Sequence, residues 1–118
     1  MELVYAGLNA TARDYAKLGE LYRLEGNING KQIVPSSWIS ASIKPDAPHL
    51  MPGDNPLSDF PMGYGYQWWM PPAHDEEFYG IGVYGQYLWI DRKAGVIVVK
   101  TSADKAFREN DGQVQLET

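Results

Sequence analysis

Two neighbouring stretches decide the fold of this chain: EFYGIGVYGQYLWID at residues 77–91 and VIVVKTS at residues 96–102. Together they predict three successive strands, because the first part contains spaced glycines, the middle part alternates, and the last part is a run of β-branched residues. The link over residues 91–95 ends in glycine, as a longer hairpin loop requires. The two stretches therefore predict an antiparallel meander at the centre of the domain.

The predicted middle strand places its side chains on two faces, because successive residues of a strand point to opposite sides. The faces comprise Gln86, Leu88 and Ile90 on one side and Tyr87, Trp89 and Asp91 on the other. Glycines occupy positions 80, 82 and 85 in and after the preceding strand. Glycine within a strand marks a bulge or a position where another group approaches the backbone closely.

The composition limits the class of protein. The chain has 118 residues, 44% of them hydrophobic, which favours a single domain over residues 1–118. Its net charge of −5 disfavours nucleic-acid binding, since an acidic surface repels phosphate. No apolar run reaches the roughly 20 residues of a membrane span. Met1-Glu2-Leu3-Val4 lacks the basic start of a signal peptide, so a cytoplasmic location is the default expectation.

Helical signals dominate the first third of the chain. Thr11 followed by Asp14 is close to a capping box and precedes an apolar stripe at helical spacing, which predicts a helix over residues 12–25 that stops at Gly26. Asn29-Gly30 predicts a small hairpin or tight loop. A short second helix is expected over residues 36–43.

The remaining segments complete an α+β prediction. Five prolines make residues 44–62 a long irregular loop, either a binding loop or a plain connector. Residues 63–70 are expected to form one strand that Pro71-Pro72 ends. A brief last helix is expected from Ser102 to about Asn110, followed by a frayed tail at 111–118. The predicted fold is an antiparallel sheet of about four to five strands with an N-terminal helix and one or two short helices.

The residues alone do not indicate a catalytic or metal centre. The stretch His74-Asp75-Glu76-Glu77 contains metal-capable side chains, but adjacent positions after two prolines indicate a solvated loop. We therefore expect no metal and no cofactor. No serine lies in a Gly-x-Ser-x-Gly motif, and none is assigned as a nucleophile; each is expected to be a cap or surface residue.

Several blocks, taken in order, resemble one known family. They are GLNATARDYAKLG at 7–19, NGKQIVP at 29–35, Trp38-Ile39, GYGYQWW at 63–69, GIGVYGQ at 80–86 and residues 91–99. This series is similar to the serine β-lactamase-like, or penicillin-binding-protein-like, hydrolases, which include class C β-lactamases, esterases and 6-aminohexanoate-dimer hydrolases. The aromatic-rich block at 66–69 and Gly82-Val83-Tyr84 look closest to the last of these branches.

The resemblance implies a division of the catalytic machinery. In this family the nucleophilic Ser and its Lys lie in Ser-x-x-Lys, and the catalytic Tyr in Tyr-x-Asn or Tyr-x-Ser; all three would precede Met1, so no catalytic residue is expected here. The segment from Gly80 to Val83 matches the edge strand of the substrate site, and the amide of Val83 or Tyr84 would form half of the oxyanion hole. Ile81 stands where Lys or His is usual, which puts β-lactam carboxylate recognition in doubt.

The candidate site therefore consists of an oxyanion strand and a pocket wall. The strand comprises Ile81, Gly82, Val83 and Tyr84, and the wall comprises Tyr66, Trp68 and Trp69. The strand glycines admit two interpretations: they let a substrate approach the edge, or they relieve crowding against Trp68, Trp69 and Tyr87.

Two functional hypotheses remain open. The first is a C-terminal part of a serine hydrolase that cleaves a small amide or ester through an acyl-enzyme, with a complementing N-terminal part as partner, and that is inactive alone. The alternative is a binding or self-associating module without catalysis, which would form a homo-oligomer through an uncovered aromatic face. Its contact residues would be Tyr64, Tyr66, Trp68, Trp69, Tyr87 and Trp89.

Overall fold

A computed structural model describes residues 7–56, 59–72 and 76–107. Within these residues the chain forms two α-helices, a short 3-10 helix over Pro48–Leu50, and seven strands. The helices are α1 (Ala12–Arg23) and α2 (Ser36–Ser42). The strands are β1 (Asn27–Ile28), β2 (Lys31–Gln32), β3 (Gly63–Tyr64), β4 (Trp69–Met70), β5 (Glu77–Gly82), β6 (Gln86–Asp91) and β7 (Val96–Lys100). The predicted α+β class is confirmed.

Helix α1 begins and ends through local hydrogen bonds. The Thr11 hydroxyl accepts a hydrogen bond from the Asp14 backbone N–H at 3.2 Å, as an N-cap should. At the other end, the Gly26 N–H donates to the Leu21 carbonyl at 2.8 Å, and Glu25 adopts a left-handed φ of 55°. This is a Schellman arrangement, which satisfies carbonyls that the helix itself leaves free. It ends the helix at Arg23, two residues before the predicted boundary.

The predicted hairpin at Asn29-Gly30 is confirmed. Strands β1 and β2 pair antiparallel on either side of it, and Asn29 and Gly30 have φ angles of 52° and 82°. Positive φ at both central residues defines a type I′ turn, which matches the natural twist of paired strands. The second helix is also confirmed over Ser36–Ser42, against a predicted range of 36–43.

The main sheet is a five-stranded antiparallel meander in the order β3-β4-β5-β6-β7. In its central register Tyr79 lies opposite Trp89, and Trp89 lies opposite Val98. Strands that are adjacent in the sheet are therefore also consecutive in the sequence. The sequence prediction of a meander over residues 77–102 is confirmed.

The prediction of one strand over residues 63–70 is wrong. The chain instead turns back on itself, so that Gly63 pairs with Met70 and Tyr64 with Trp69. The turn is closed by a hydrogen bond from the Gly65 N–H to the Trp68 carbonyl at 2.9 Å. A tertiary contact favours this turn over an extended strand: the Tyr66 N–H donates to the Ser42 carbonyl at 2.8 Å.

The core lies between α1 and one face of the sheet. Phe78 and Ile90 are 1% and 0% exposed, and Trp68 joins them from the β3–β4 turn. The ring of Tyr22, on α1, lies 4.7 Å from that of Trp68. Helix and sheet approach closely at Gly19, where an added Cβ would lie 2.9 Å from Ile97 Cγ2. The predicted separation of the two faces of β6 is confirmed, since Leu88 and Ile90 point into this core.

The opposite side of the central strands forms what we call the outer face. Its side chains form three rows across β5, β6 and β7: Glu77, Asp91 and Val96; Tyr79, Trp89 and Val98; Ile81, Tyr87 and Lys100. Aliphatic side chains stay partly in solvent on this side, with Val98 45% exposed. The sheet is thus covered by α1 on one side and presents an apolar and aromatic surface on the other.

Other predicted features lie partly outside the residues that the structure describes. The brief helix expected from Ser102 does not form up to Phe107; residues 105–107 make a turn instead. The rest of that helix, the predicted tail at 111–118, and His74 and Asp75 lie outside the described residues. Neither α-helix in the described ranges has the length and hydropathy of a membrane span.

We predict that Gly65→Ala destabilises the fold by about 1–3 kcal/mol, because overpacking against backbone has this cost. The new Cβ would lie 2.2 Å from the Ser42 carbonyl oxygen, so the α2 end or the β3–β4 turn must move. Gly80→Ala is the matched control, since its Cβ meets Trp68 at an ordinary 3.6 Å. Urea unfolding of both variants measures the difference. Equal midpoints for Gly65→Ala and the parent chain would contradict the packing described at Ser42.

Candidate functional site

The candidate site is built on the end of β5. Strand β4 pairs with β5 at Trp69 and Tyr79 only, and within the described residues no other strand continues along that side of Gly80 to Gly82. An edge of this kind presents unpaired backbone groups to an approaching chain or ligand. Ile81 on this segment is also partly exposed. The family resemblance matched this segment to an edge strand, whereas β5 is the middle strand of the sheet and only its end beyond Tyr79 lacks a partner on the β4 side. Its role as a substrate edge stays a prediction.

The turn after β5 contains the two residues whose backbone amides are the predicted oxyanion donors. Val83 and Tyr84 are 55% and 47% exposed and connect β5 to β6. Tyr84 and Gly85 have φ angles of 65° and 76°, both left-handed. Glycine adopts this conformation readily, whereas a bulky residue such as Tyr84 rarely does. The turn therefore holds its main chain in an uncommon conformation at the predicted site.

The turn is held by three further contacts. The Gln86 side-chain amide donates to the Val83 carbonyl at 3.1 Å. The Tyr84 carbonyl accepts a hydrogen bond from the Asp104 N–H at 3.2 Å, and the Tyr84 ring packs edge-on against Phe107 at 5.4 Å. Sequence reasoning missed the contacts with Asp104 and Phe107, since no local pattern links residues twenty positions apart.

Crowding explains the strand glycines only in part. An added Cβ at Gly80 would make an ordinary contact with Trp68 at 3.6 Å. At Gly82 it would lie 3.3 Å from Gln86 Cβ, a tighter fit. Neither Trp69 nor Tyr87 contributes any of the atoms nearest to the added Cβ at Gly80 or Gly82. Packing thus gives Gly80 no steric need to be glycine, and access of a substrate to the backbone stays a prediction.

The three predicted pocket-wall residues do not form one wall. Trp68 is 6% exposed and belongs to the core, where its ring lies beneath Gly80. Tyr66 is exposed and packs against Trp38 at 5.2 Å. Trp69 packs instead against Tyr64, with ring centres 4.5 Å apart. The β3–β4 turn causes this separation, because it interrupts the alternation on which the prediction depended.

One Ser-x-x-Lys spacing does occur in the chain, at Ser102 and Lys105, and the sequence interpretation passed over it. In the structure these residues follow β7 in an irregular segment and a turn. The Ser102 hydroxyl accepts a hydrogen bond from the Asp104 N–H at 3.3 Å. A nucleophile and its base must lie within hydrogen-bond reach of each other, and the helical geometry that brings positions i and i+3 together is lacking here. We therefore keep both residues outside the candidate site.

Charged residues cluster at the far end of the sheet. Arg92 donates from Nε to the Glu76 carboxylate at 2.9 Å and lies 3.7 Å from that of Glu25. It thereby joins the β6–β7 turn to the start of β5 and the end of α1. Among the residues that the structure describes, no three His, Asp or Glu side chains converge as a metal site requires.

One titratable group on the outer face, the Tyr79 hydroxyl, has a shifted pKa. Burial raises the pKa of the Tyr79 hydroxyl, and the nearby Glu77 carboxylate adds to the rise. Both effects disfavour the phenolate, the first by desolvation and the second by repulsion of like charge. The ring of Tyr79 stacks against that of Trp89 with an interplanar angle of 28°.

We predict that Tyr79 makes the fold less stable in alkali. Because its folded pKa is raised, its contribution is fully present below the unfolded pKa of about 10 and is lost as the pH rises through the folded value. Tyr79→Phe should therefore lose less stability than the parent chain above that pH, measured by urea unfolding across the range. Tyr66→Phe, which removes an exposed hydroxyl, is the matched control. An unchanged pH dependence in Tyr79→Phe would contradict the assignment.

Comparisons with known proteins give the same family from sequence and from structure. A family model described as Beta-lactamase matches residues 3–116. The 6-aminohexanoate-dimer hydrolase of Paenarthrobacter ureafaciens is 32% identical over 98 residues, which cover 82% of this chain and 25% of the relative. A solved structure, "Putative 6-aminohexanoate-dimer hydrolase from Bacillus anthracis", superimposes with a TM-score of 0.69 at 34% identity over 95% of this chain and 29% of that one. The chain thus spans about a quarter of the length of these relatives. It belongs to the β-lactamase family.

Proposed function

We propose that these residues supply the oxyanion strand of a β-lactamase-like serine hydrolase domain. The main observation in support is the accessible end of β5, where an open edge leads into the exposed turn at Val83 and Tyr84. An oxyanion hole needs main-chain N–H groups that the substrate can reach and that point at the position of the developing oxyanion. Membership of the family supports the assignment, because it accounts for an open, glycine-bearing edge where ordinary packing does not require one.

The proposed reaction is hydrolysis through an acyl-enzyme. A serine oxygen adds to the carbonyl carbon of an amide or ester, and the carbonyl oxygen becomes an oxyanion bound by the amide of Val83 or Tyr84. The C–N or C–O bond then breaks, and the leaving amine or alcohol takes the proton that the serine gave up. Water next adds to the acyl carbon, and the acid and the free serine hydroxyl are released. Loss of one such donor typically costs about 10²–10³ in rate.

The substrate proposed for this site is a linear amide or ester. Ile81 places an aliphatic group where a cation would be needed to bind the carboxylate of a β-lactam, so this position favours a neutral group. The names of both relatives indicate a linear amide, the 6-aminohexanoate dimer, as the substrate of those proteins. We extend only the chemical class, a small linear amide, to this chain.

We predict that the 118-residue chain alone does not turn over nitrocefin, a p-nitrophenyl ester or a linear amide. Among the residues that the structure describes, no serine hydroxyl is hydrogen-bonded to a Lys, His, Asp or Glu side chain. Loss of the nucleophile in such enzymes costs several orders of magnitude in rate. The assay is run with the parent chain and with Ser102→Ala. Turnover by the parent chain that Ser102→Ala abolishes would contradict the proposal, because the nucleophile would then lie within these residues.

Complementation tests whether these residues restore hydrolysis when the rest of the domain is supplied. The chain is mixed with a 6-aminohexanoate-dimer hydrolase from which the matching C-terminal residues have been removed. Recovery of linear-amide hydrolysis above that of the truncated relative is expected, with Lys105→Ala as a surface control. No recovery, despite a complex detected by sedimentation, would contradict the proposed role of the β5 end.

The outer face favours self-association as a second candidate function. Glu77 and Asp91 lie at one end of its rows, Lys100 at the other, and Tyr79, Trp89 and Val98 lie between them. A second copy placed face to face, with its strands reversed, lays the row that contains Glu77 and Asp91 over the row that contains Lys100 of the other copy, and the two middle rows over each other. Such a two-fold contact is self-complementary. Trp68, predicted as part of this contact, lies in the core and does not contribute to it.

We predict that Val98→Lys weakens self-association by about 10-fold or more, because it buries an unpaired charge at the centre of the contact. Val98 is 45% exposed, so the monomer should tolerate the change. Ile33→Lys, which alters an exposed aliphatic residue outside the outer face, is the control. Sedimentation velocity over a range of concentrations measures the association. A parent chain that stays monomeric, or a Val98→Lys variant that associates as the parent does, would contradict this function.

A further inference from the structure

We propose that the segment after β7 positions the oxyanion turn, with Asp104 and Phe107 as the positioning residues. The inference rests on the proposed function of the turn at Val83 and Tyr84, and it adds what holds that turn in place. Neither residue is assigned to contact substrate. Their role is to fix the main chain that does.

The turn needs external support because of its backbone conformation. Tyr84 has a φ of 65°, in the left-handed region that bulky residues seldom adopt. A conformation of this kind persists only when surrounding contacts hold it. If Tyr84 relaxed to negative φ while β5 and β6 stayed in register, the adjoining peptide planes would have to rotate. The N–H of Tyr84 would then point elsewhere.

Two contacts from the post-β7 segment act on Tyr84 itself. Its carbonyl accepts a hydrogen bond from the Asp104 N–H at 3.2 Å. Its ring meets that of Phe107 at 5.4 Å and 66°, the edge-to-face arrangement that aromatic pairs prefer. One contact fixes the main chain and the other fixes the side chain, so together they restrict rotation on both sides of the Tyr84 Cα.

The segment is itself ordered by local hydrogen bonds. The Asp104 carboxylate accepts a hydrogen bond from the Ala106 N–H at 2.9 Å, which forms an Asx-type turn. The Ser102 hydroxyl accepts from the Asp104 N–H at 3.3 Å, so this N–H is shared between Ser102 and Tyr84. These bonds direct the chain from the end of β7 back to the β5–β6 turn. The Asp104 side chain thereby sets where Phe107 lies.

The experiment is amide NMR of the 118-residue chain with Phe107→Leu and Asp104→Ala, and Lys105→Ala as a matched control from the same exposed turn. In the parent chain and the control, the scalar coupling of Tyr84 should report positive φ and the Asp104 amide should exchange slowly. In both test variants the backbone amide at position 104 should exchange at least about 10-fold faster, and the Tyr84 amide shift should move. Phe107→Tyr, which keeps the ring, should restore the parent values.

The complementation assay provides a second, independent readout. If the turn supplies the oxyanion donor, both test variants should lower kcat about 10-fold, less than the loss expected for deleting a donor outright, and leave KM nearly unchanged. Unaltered backbone amides at positions 84 and 104 in folded test variants would overturn the positioning proposal. Loosened amides with an unchanged kcat would instead overturn the oxyanion role of the turn, so the two failures are distinguishable.

Discussion

The close packing of α1 on one face of the sheet is the contact on which the rest of the structure depends. Gly19 lets the helix approach until its backbone is within van der Waals reach of Ile97, Ile90 and Leu88. Phe78 is buried within the same core. Burial of apolar side chains at this interface is the main source of stability available to so short a chain. It fixes the register of β6 and β7, and β5 follows from its pairing with β6.

This one-sided packing produces the two features that matter for function. It holds the first half of β5 rigidly through Phe78, while the second half, from Gly80 onward, extends beyond β4 and stays accessible at its edge. It also leaves the outer face as an apolar and aromatic surface around Trp89. We propose a substrate at the edge and a second copy at the outer face, so the two proposed functions depend on different residues.

Much of the fold could be predicted from sequence because its signals are local. The Thr11 cap, the Asn29-Gly30 turn and the alternation in β6 each act within a few residues, and the structure contains all three. The strand predicted over 63–70 failed because the Ser42 carbonyl, distant in sequence, binds the Tyr66 N–H and stabilises a turn. The contact of Asp104 with Tyr84 was missed for the same reason, since the two residues are distant in sequence. The predicted aromatic wall failed because the turn at residues 65–68 interrupts the expected alternation. The spacing of Ser102 and Lys105 was visible in the sequence but was overlooked, and the structure places both outside any helix.

We propose that main-chain N–H groups at the end of β5 bind a developing oxyanion, while another part of the hydrolase domain supplies the attacking group. The most direct measurement is the amide proton shift of Val83 and Tyr84 in the labelled chain, complemented with a nucleophile-bearing relative and treated with a fluorophosphonate. We expect one of these two amides to show the largest downfield shift in the chain, because it donates to the phosphonyl oxygen. The proposal would be contradicted by unchanged Val83 and Tyr84 amides in a complex whose serine is fully phosphonylated.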